Sequence, residues 1–539
     1  MPVSLLPVLL VAILAACAPA APVVAPLLPT TPSGAGESVK STHTDPPPSA
    51  GLTYEVYVRS FQDSDGDGIG DFAGVTSRLP YIAELGVQTL WLMPVFPAFG
   101  PAGYDVVSYA SIEEAYGDAE DLRTLVDAAH ELGLRVLLDL PFNHVHRDHP
   151  WFVDAESGGL YQDWFVYRTA AGDGVRWFDS AGGGSYYAYF GAEMPDLNWE
   201  NPAVYAAMLA VFDTWLDAGA DGYRLDAVLM LVEEGAQIEG SDASHALLAE
   251  ILAELRAGHP DAFFLAEASE WEVDPSLSWL GTDATPEADA VLDFPRRDLL
   301  LESVDRGSAA DLVDLVSTQV AAGAGARMAP FLGSHDVDRL ATEVGSSSAR
   351  RALVVAHLLL PGAPVLYYGE ELDLANATSG TGQDYAMRAP MPWDDGPQAG
   401  FTTASAWFPV DPTNRAGLNV TDALADPDSM LSLVRALGCV RAAHGLEADE
   451  GWTPLSVASS SVLAFVRGTP GGELLVVINL GTSEARGVTV PVAGVWYDVS
   501  TGVRLRGARR AGVGTLAGHG WRVYSARPST CALPVGVAG

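Results

Sequence analysis

GYRLDA, residues 222–227, is a short apolar and aromatic run that ends on a carboxylate, and its reading decides the fold. FLAEA (264–268) and FLGSHD (331–336) repeat the pattern: each begins like a buried strand and reaches an acid where that strand would stop. In a (β/α)8 barrel the functional groups sit at the C-terminal ends of the strands, so acids at three strand ends can meet on one face. Asp226, Glu267 and Asp336 are therefore the candidate catalytic residues. Arg224 precedes Asp226 by two positions, and residues i and i+2 of a strand face the same way, so a guanidinium and a carboxylate can share one pocket. His335, beside Asp336, adds a further donor.

Working outward, the chain carries an ordered series of motifs: YEVYVRSFQDSDGDGIGD (54–71), GYD (103–105), DLPFNH (139–144), MPDLN (194–198), GYRLDA, LAEA (265–268), FLGSHD and PGAPVLYYGEE (361–371). In this order they resemble the α-amylase family, family 13 of the glycoside hydrolases, from about residue 51 to the C-terminal end. The resemblance implies that Asp226 is the nucleophile, Glu267 the general acid/base, and Asp336 the residue that grips sugar hydroxyls. This is the division of labour a retaining glycosidase needs from its carboxyl groups. It also implies a sugar pocket of Tyr104, Asp105, His144, Arg224, His335 and Arg339, with the tyrosine ring as a flat face for the glucose. MPDLN lies between the forms typical of oligo-1,6-glucosidases and of neopullulanases. Ala227 after the nucleophile resembles enzymes acting on α-1,4 links. The expectation is endo-acting hydrolysis of α-1,4-glucosidic bonds in starch and maltodextrins. The rival readings are an exo-acting α-glucosidase or maltodextrin hydrolase, a transglycosylase, and a non-catalytic maltodextrin-binding lipoprotein. Leu229 and Met230 stand where many amylases carry Lys-His, and Ser334 stands where Asn is usual, which leaves the acceptor side to aromatic stacking.

The segment DSDGDGIGD places acids at Asp63, Asp65, Asp67 and Asp71 around a glycine at position 66, a spacing that wraps oxygen ligands around calcium. The expected ligands are those four carboxylates and the backbone oxygen of Ile69. A second calcium at Asn143 and Asp196 is an expectation from the resemblance alone.

The 539 residues, 48% of them hydrophobic, suffice for a large barrel plus a smaller domain. A formal net charge of -40 argues against nucleic acid or anionic membranes as partners, since both require basic patches. The first 17 residues read as a lipoprotein-type signal ending at Cys17, the expected lipidation site and the chain's one link to a membrane; residues 18–50, rich in Pro, Ala, Ser and Thr, read as a disordered tether. An exported monomer, extracellular or held at the cell envelope, is expected. The barrel is expected over 51–444, with an inserted subdomain at about 145–199 after the third strand, and an antiparallel β-sandwich over 445–530. Cys439 and Cys531 are expected as two unpaired thiols.

Overall fold

The computed structural model describes residues 51–378, 383–411, 417–446 and 451–534. Residues 1–50, read above as a signal ending at Cys17 and a tether, lie outside these residues. Eight parallel strands form the central sheet: β1 (Thr53–Val56), β2 (Thr89–Leu92), β3 (Arg135–Leu140), β4 (Gly222–Leu225), β5 (Phe263–Ala266), β6 (Ala290–Leu292), β7 (Met328–Ala329) and β8 (Val365–Tyr367). Their order is β7-β6-β5-β4-β3-β2-β1-β8. Backbone bonds from Val365 N to Pro330 O (2.8 Å) and from Ala363 N to Met328 O (2.9 Å) join the two ends, so the sheet closes into a barrel. Helices such as Phe72–Glu84, Ala119–Glu131, Pro202–Asp217 and Ser347–Leu359 cover its outside.

Strand alternation sorts the side chains. Tyr54, Val56, Leu90 and Leu92 join the outer core beneath the helices, whereas Trp91, Leu137, Leu265, Ala329 and Val365 form a separate interior cluster. The barrel is thus filled by side chains rather than hollow. At its C-terminal face the excursion after β3 folds into helix Pro150–Glu156 and a small antiparallel sheet of Tyr167–Arg168, Ser185–Tyr187 and Trp177–Asp179. Bridges His144–Asp196 and Phe165–Leu197 close it at its base.

Beyond the barrel, eight antiparallel strands between Thr453 and Ser525 form the C-terminal domain. Two of them, β9 (Val462–Arg467) and β10 (Leu474–Asn479), are buried on both faces: Leu463, Phe465, Val476 and Ile478 join the barrel's outer core, while Val462, Ala464, Leu475 and Val477 face a second layer with Val490, Trp496 and Leu516. Arg467 reinforces the join by donating to Leu360 O at 2.6 Å. One expectation is corrected here. Cys439 and Cys531 form a disulfide, because helix Met430–His444 and the tail after the last strand run side by side and bring their Cα atoms to 5.9 Å. A pairing across 92 residues has no local signature in the sequence.

Candidate active site

The strand ends converge as the sequence suggests. Arg224, buried near the end of β4, is the hub: Nη1 lies 2.6 Å from Asp226 Oδ1 and 2.8 Å from Asp139 Oδ1, and Nη2 lies 2.8 Å from Glu267 Oε2. One guanidinium therefore holds acids from β3, β4 and β5 in fixed geometry. Ala227, next to Asp226, adopts a left-handed conformation (φ 53°, ψ 39°). That turn aims its N–H at Glu267 Oε2, 3.0 Å away, so the two acids are tied through backbone as well as through Arg224.

On the opposite side, His335 Nε2 lies 2.8 Å from Asp336 Oδ2 and 2.6 Å from the Tyr104 hydroxyl. The Tyr104 hydroxyl also donates to Asp139 Oδ2 at 2.9 Å, and its ring stacks on His335 with centroids 5.2 Å apart. Asp336 is 54% exposed, so its carboxylate faces the cleft, whereas Asp226 is only 7% exposed at the floor.

The charges are unequally held. Burial pushes the Asp226 carboxyl well above the usual carboxylate range, with Glu267, Asp139 and Asp336 adding to the rise and Arg224 opposing it. Burial raises Asp139 in the same way against Arg224 and His335. The Asp336 carboxylate reaches the cleft yet is crowded by the surrounding site, and the cost of that crowding is outweighed by the His335 cation, with help from Arg224 and Arg388, so its carboxyl is held far below the usual range. His335 is pushed up to about 10 because Asp336 and Glu55 outweigh its burial.

The other expected residues take distinct places. His144 is buried, which lowers its pKa to about 4, and it bonds the backbone of Tyr104 at 3.1 Å, tying two loops of the cleft together. The Asp105 carboxylate accepts from Gly100 N at 2.9 Å and orders the loop below Tyr104. Arg339 does not reach the acid cluster: it is buried and donates to Tyr368 O (2.7 Å) and Met387 O (2.9 Å), so it supports the Asp336 loop from behind. Leu229 and Met230 are buried, and Ser334 Oγ accepts from Asp336 N at 3.1 Å.

Four partners of these residues were not anticipated: Asp139, Glu55, Trp91 and Arg388. Trp91 Nε1 donates to Asp139 Oδ2 at 3.0 Å, and Arg388 donates to His335 O at 3.0 Å and lies 3.5 Å from Asp336 Oδ1. Asp139 and Glu55 did leave a trace, as acids inside otherwise apolar strands, where a lone charge demands a partner. Of the expected metal ligands, Asp63, Asp65 and Asp71 bring carboxylate oxygens within 4.8 Å of one another. Asp67 turns its carboxylate to the amide of Ile69 at 2.7 Å and stands outside that group. Asn143 Oδ1 and Asp196 Oδ2 are buried without a hydrogen bond of normal geometry.

Comparison with known proteins agrees with this architecture. Residues 55–449 match the model of the alpha amylase catalytic domain, and residues 452–532 that of the alpha amylase C-terminal all-beta domain. The chain is 32% identical to a trehalose synthase/amylase of Mycolicibacterium smegmatis (77% of this chain, 79% of that protein) and 30% identical to alpha-amylase 3 of Dictyoglomus thermophilum (80% and 85%). It is 28% identical to a probable oligo-1,6-glucosidase of Bacillus subtilis (80% and 90%). Among solved structures it resembles an alpha-amylase from H. orenii with a TM-score of 0.77 at 27% identity, covering 88% of this chain and 99% of that one. With the barrel, its strand-end acids and both domain matches in place, the chain belongs to the α-amylase family of glycoside hydrolases.

Proposed function

We propose that this glycosidase hydrolyses α-1,4-glucosidic bonds of starch and maltodextrins from within the chain, with retention of configuration. The observation that carries the reading is the Arg224 fork, which holds Asp226 and Glu267 on its two arms. Retaining pairs stand about 5–5.5 Å apart and inverting pairs about 6.5–9.5 Å, and two acids gripped by one guanidinium fit the closer class. Asp226 attacks the anomeric carbon while Glu267 protonates the departing oxygen. The covalent glycosyl-enzyme then yields to water that Glu267 deprotonates. Asp336 and Tyr104 face the same space and would take the sugar's hydroxyls and its ring.

Internal cleavage is supported by Phe99, 70% exposed on the loop that leads to Tyr104 and backed by the parallel ring of His146 at 4.4 Å. Such a ring offers distal glucosyl units a stacking face. An exo-acting α-glucosidase is the second reading, favoured by the oligo-1,6-glucosidase relative. Products from maltoheptaose and soluble starch, resolved by chain length over time, separate the two: mixed maltooligosaccharides appear first under internal cleavage, and glucose alone from the outset would overturn it.

Calcium at the 63–71 loop is part of the proposal. Three carboxylates that converge are hard oxygen donors and suit this cation, and a bound ion would hold that loop against the segment around Thr402, whose hydroxyl donates to Asp63. Calcium titration followed by the melting temperature tests it, with Asp65→Asn abolishing the gain. The Cys439–Cys531 bridge supports export, since such bonds persist in oxidising compartments.

A further inference from the structure

Glu55 lies in the middle of β1 with no accessible surface. A carboxyl group there is costly unless a partner compensates for its lost hydration. Its Oε1 meets His335 Nδ1, while Oε2 is buried without a partner. The opposite ring nitrogen of His335 lies 2.8 Å from Asp336 Oδ2. A neutral imidazole carries one N–H, and only the imidazolium donates from both nitrogens. Two carboxyl groups on opposite edges of one ring therefore select the cation.

We propose that Glu55 is a positioning residue that keeps His335 doubly protonated, so that a fixed cation holds the Asp336 carboxylate in the cleft, facing the sugar. The inference rests on reading Asp336 as a sugar-gripping group. His335 remains protonated despite its burial because Asp336 and Glu55 both favour the cation. The other charged or titratable groups around the ring are Tyr104 at 2.6 Å, Asp139 across the Tyr104 hydroxyl, and Arg388 on the His335 carbonyl. Tyr367 is the register partner of Glu55, and Glu370 also feels its charge. Glutamine at 55 would accept the same Nδ1–H bond but supply no charge. His335 could then fall to its neutral form, leaving a lone pair against Asp336.

The test is a histidine-labelled NMR titration of the full-length protein, with the His335 signal identified by its loss in His335→Gln. The ring should stay protonated to at least two pH units above the usual histidine midpoint of about 6.5. Glu55→Gln should lower that midpoint by one unit or more and, above the new midpoint, raise KM for maltoheptaose, since Asp336 then loses its cation. A wild-type midpoint near 6.5, or one that Glu55→Gln leaves unmoved, overturns the proposal. If Glu55→Gln does not fold, the wild-type titration and Glu55→Asp decide the matter. The NMR arm needs no turnover, so an enzyme that ignores maltoheptaose would refute the substrate reading while leaving this one standing.

Discussion

Cys531→Ala removes the covalent tie between the last barrel-side helix and the chain end, and its effect can be worked from the structure. The bridge closes a loop of 92 residues, which by chain entropy stabilises the native state by about 4.6 kcal/mol. How far that moves the melting temperature depends on the size of the unit that melts. If the strands from Thr453 to Ser525 unfolded alone, their melting entropy of roughly 0.15 kcal/mol/K would turn the loss into a fall on the order of 30 °C. If barrel and sheet melt together, the entropy is about 1 kcal/mol/K and the fall about 5 °C. The packing favours the second case, since Leu463, Phe465, Val476 and Ile478 share one core with the barrel helices. Calorimetry of the oxidised wild type should show one transition, and Cys531→Ala or a reductant should lower it by about 5 °C. Reductant should not move the variant further. A separate early transition falling by tens of degrees would refute the shared-core reasoning, and no shift at all would refute the bridge.

Glu267→Gln should lower kcat roughly 10²–10⁴-fold, as expected for loss of a general acid/base, while maltodextrin binding measured by calorimetry persists; full activity in this variant would remove Glu267 from the chemistry. Ala227→Val forces a β-branched residue into the left-handed region at φ 53°. It should cost about 1–3 kcal/mol in denaturant melts and reduce kcat by displacing the amide from Glu267, whereas Ala227→Gly should be tolerated. Equal stability of the valine and glycine variants would refute the strain.

Much of the barrel and its chemistry was legible because the informative residues sit where short apolar runs end. The apolar runs TYEVYV, VQTLWL, VLLDL, GYRL, FFLA, MAPFL and PVLYY all coincide with or overlap barrel strands. The sixth strand, Ala290–Leu292, is unmarked because Asp289 and Asp293 flank its three apolar residues and leave no longer apolar run around it. Asp226, Glu267 and Asp336 lie at strand ends as their positions suggest, but Arg388 gives no such signal: it ends a short 3-10 turn (Gln383–Arg388) and meets the site through the His335 carbonyl and, at 3.5 Å, through Asp336. Arg339, expected in the sugar pocket from the resemblance, is buried and spends its guanidinium on the Tyr368 and Met387 carbonyls, a placement that its motif does not reveal. The pairing of Cys439 with Cys531 depends on how the C-terminal sheet docks, and that is a property of the whole fold.

The acid cluster also implies a conflict between stability and activity that can be measured. A carboxyl whose folded-state pKa lies above its unfolded value favours folding while protonated, and that advantage is lost as pH rises from the ordinary carboxylate range upward. Asp226 is such a group, raised by burial and by three neighbouring acids against a single guanidinium. Its ionised form, which nucleophilic attack requires, is the form that strains the fold. Asp226→Asn removes the charge but leaves Arg224 paired at 2.8 Å with both Asp139 and Glu267. The variant should therefore be inactive yet melt higher than the wild type near pH 7, with the difference shrinking as pH falls toward about 4. Arg224→Ala should do the opposite, costing roughly 3–5 kcal/mol by leaving buried acids without their cation. If Asp226→Asn melts below the wild type near neutrality, Arg224 is balanced by all three acids rather than outnumbered by them, and the strain assigned to Asp226 does not exist.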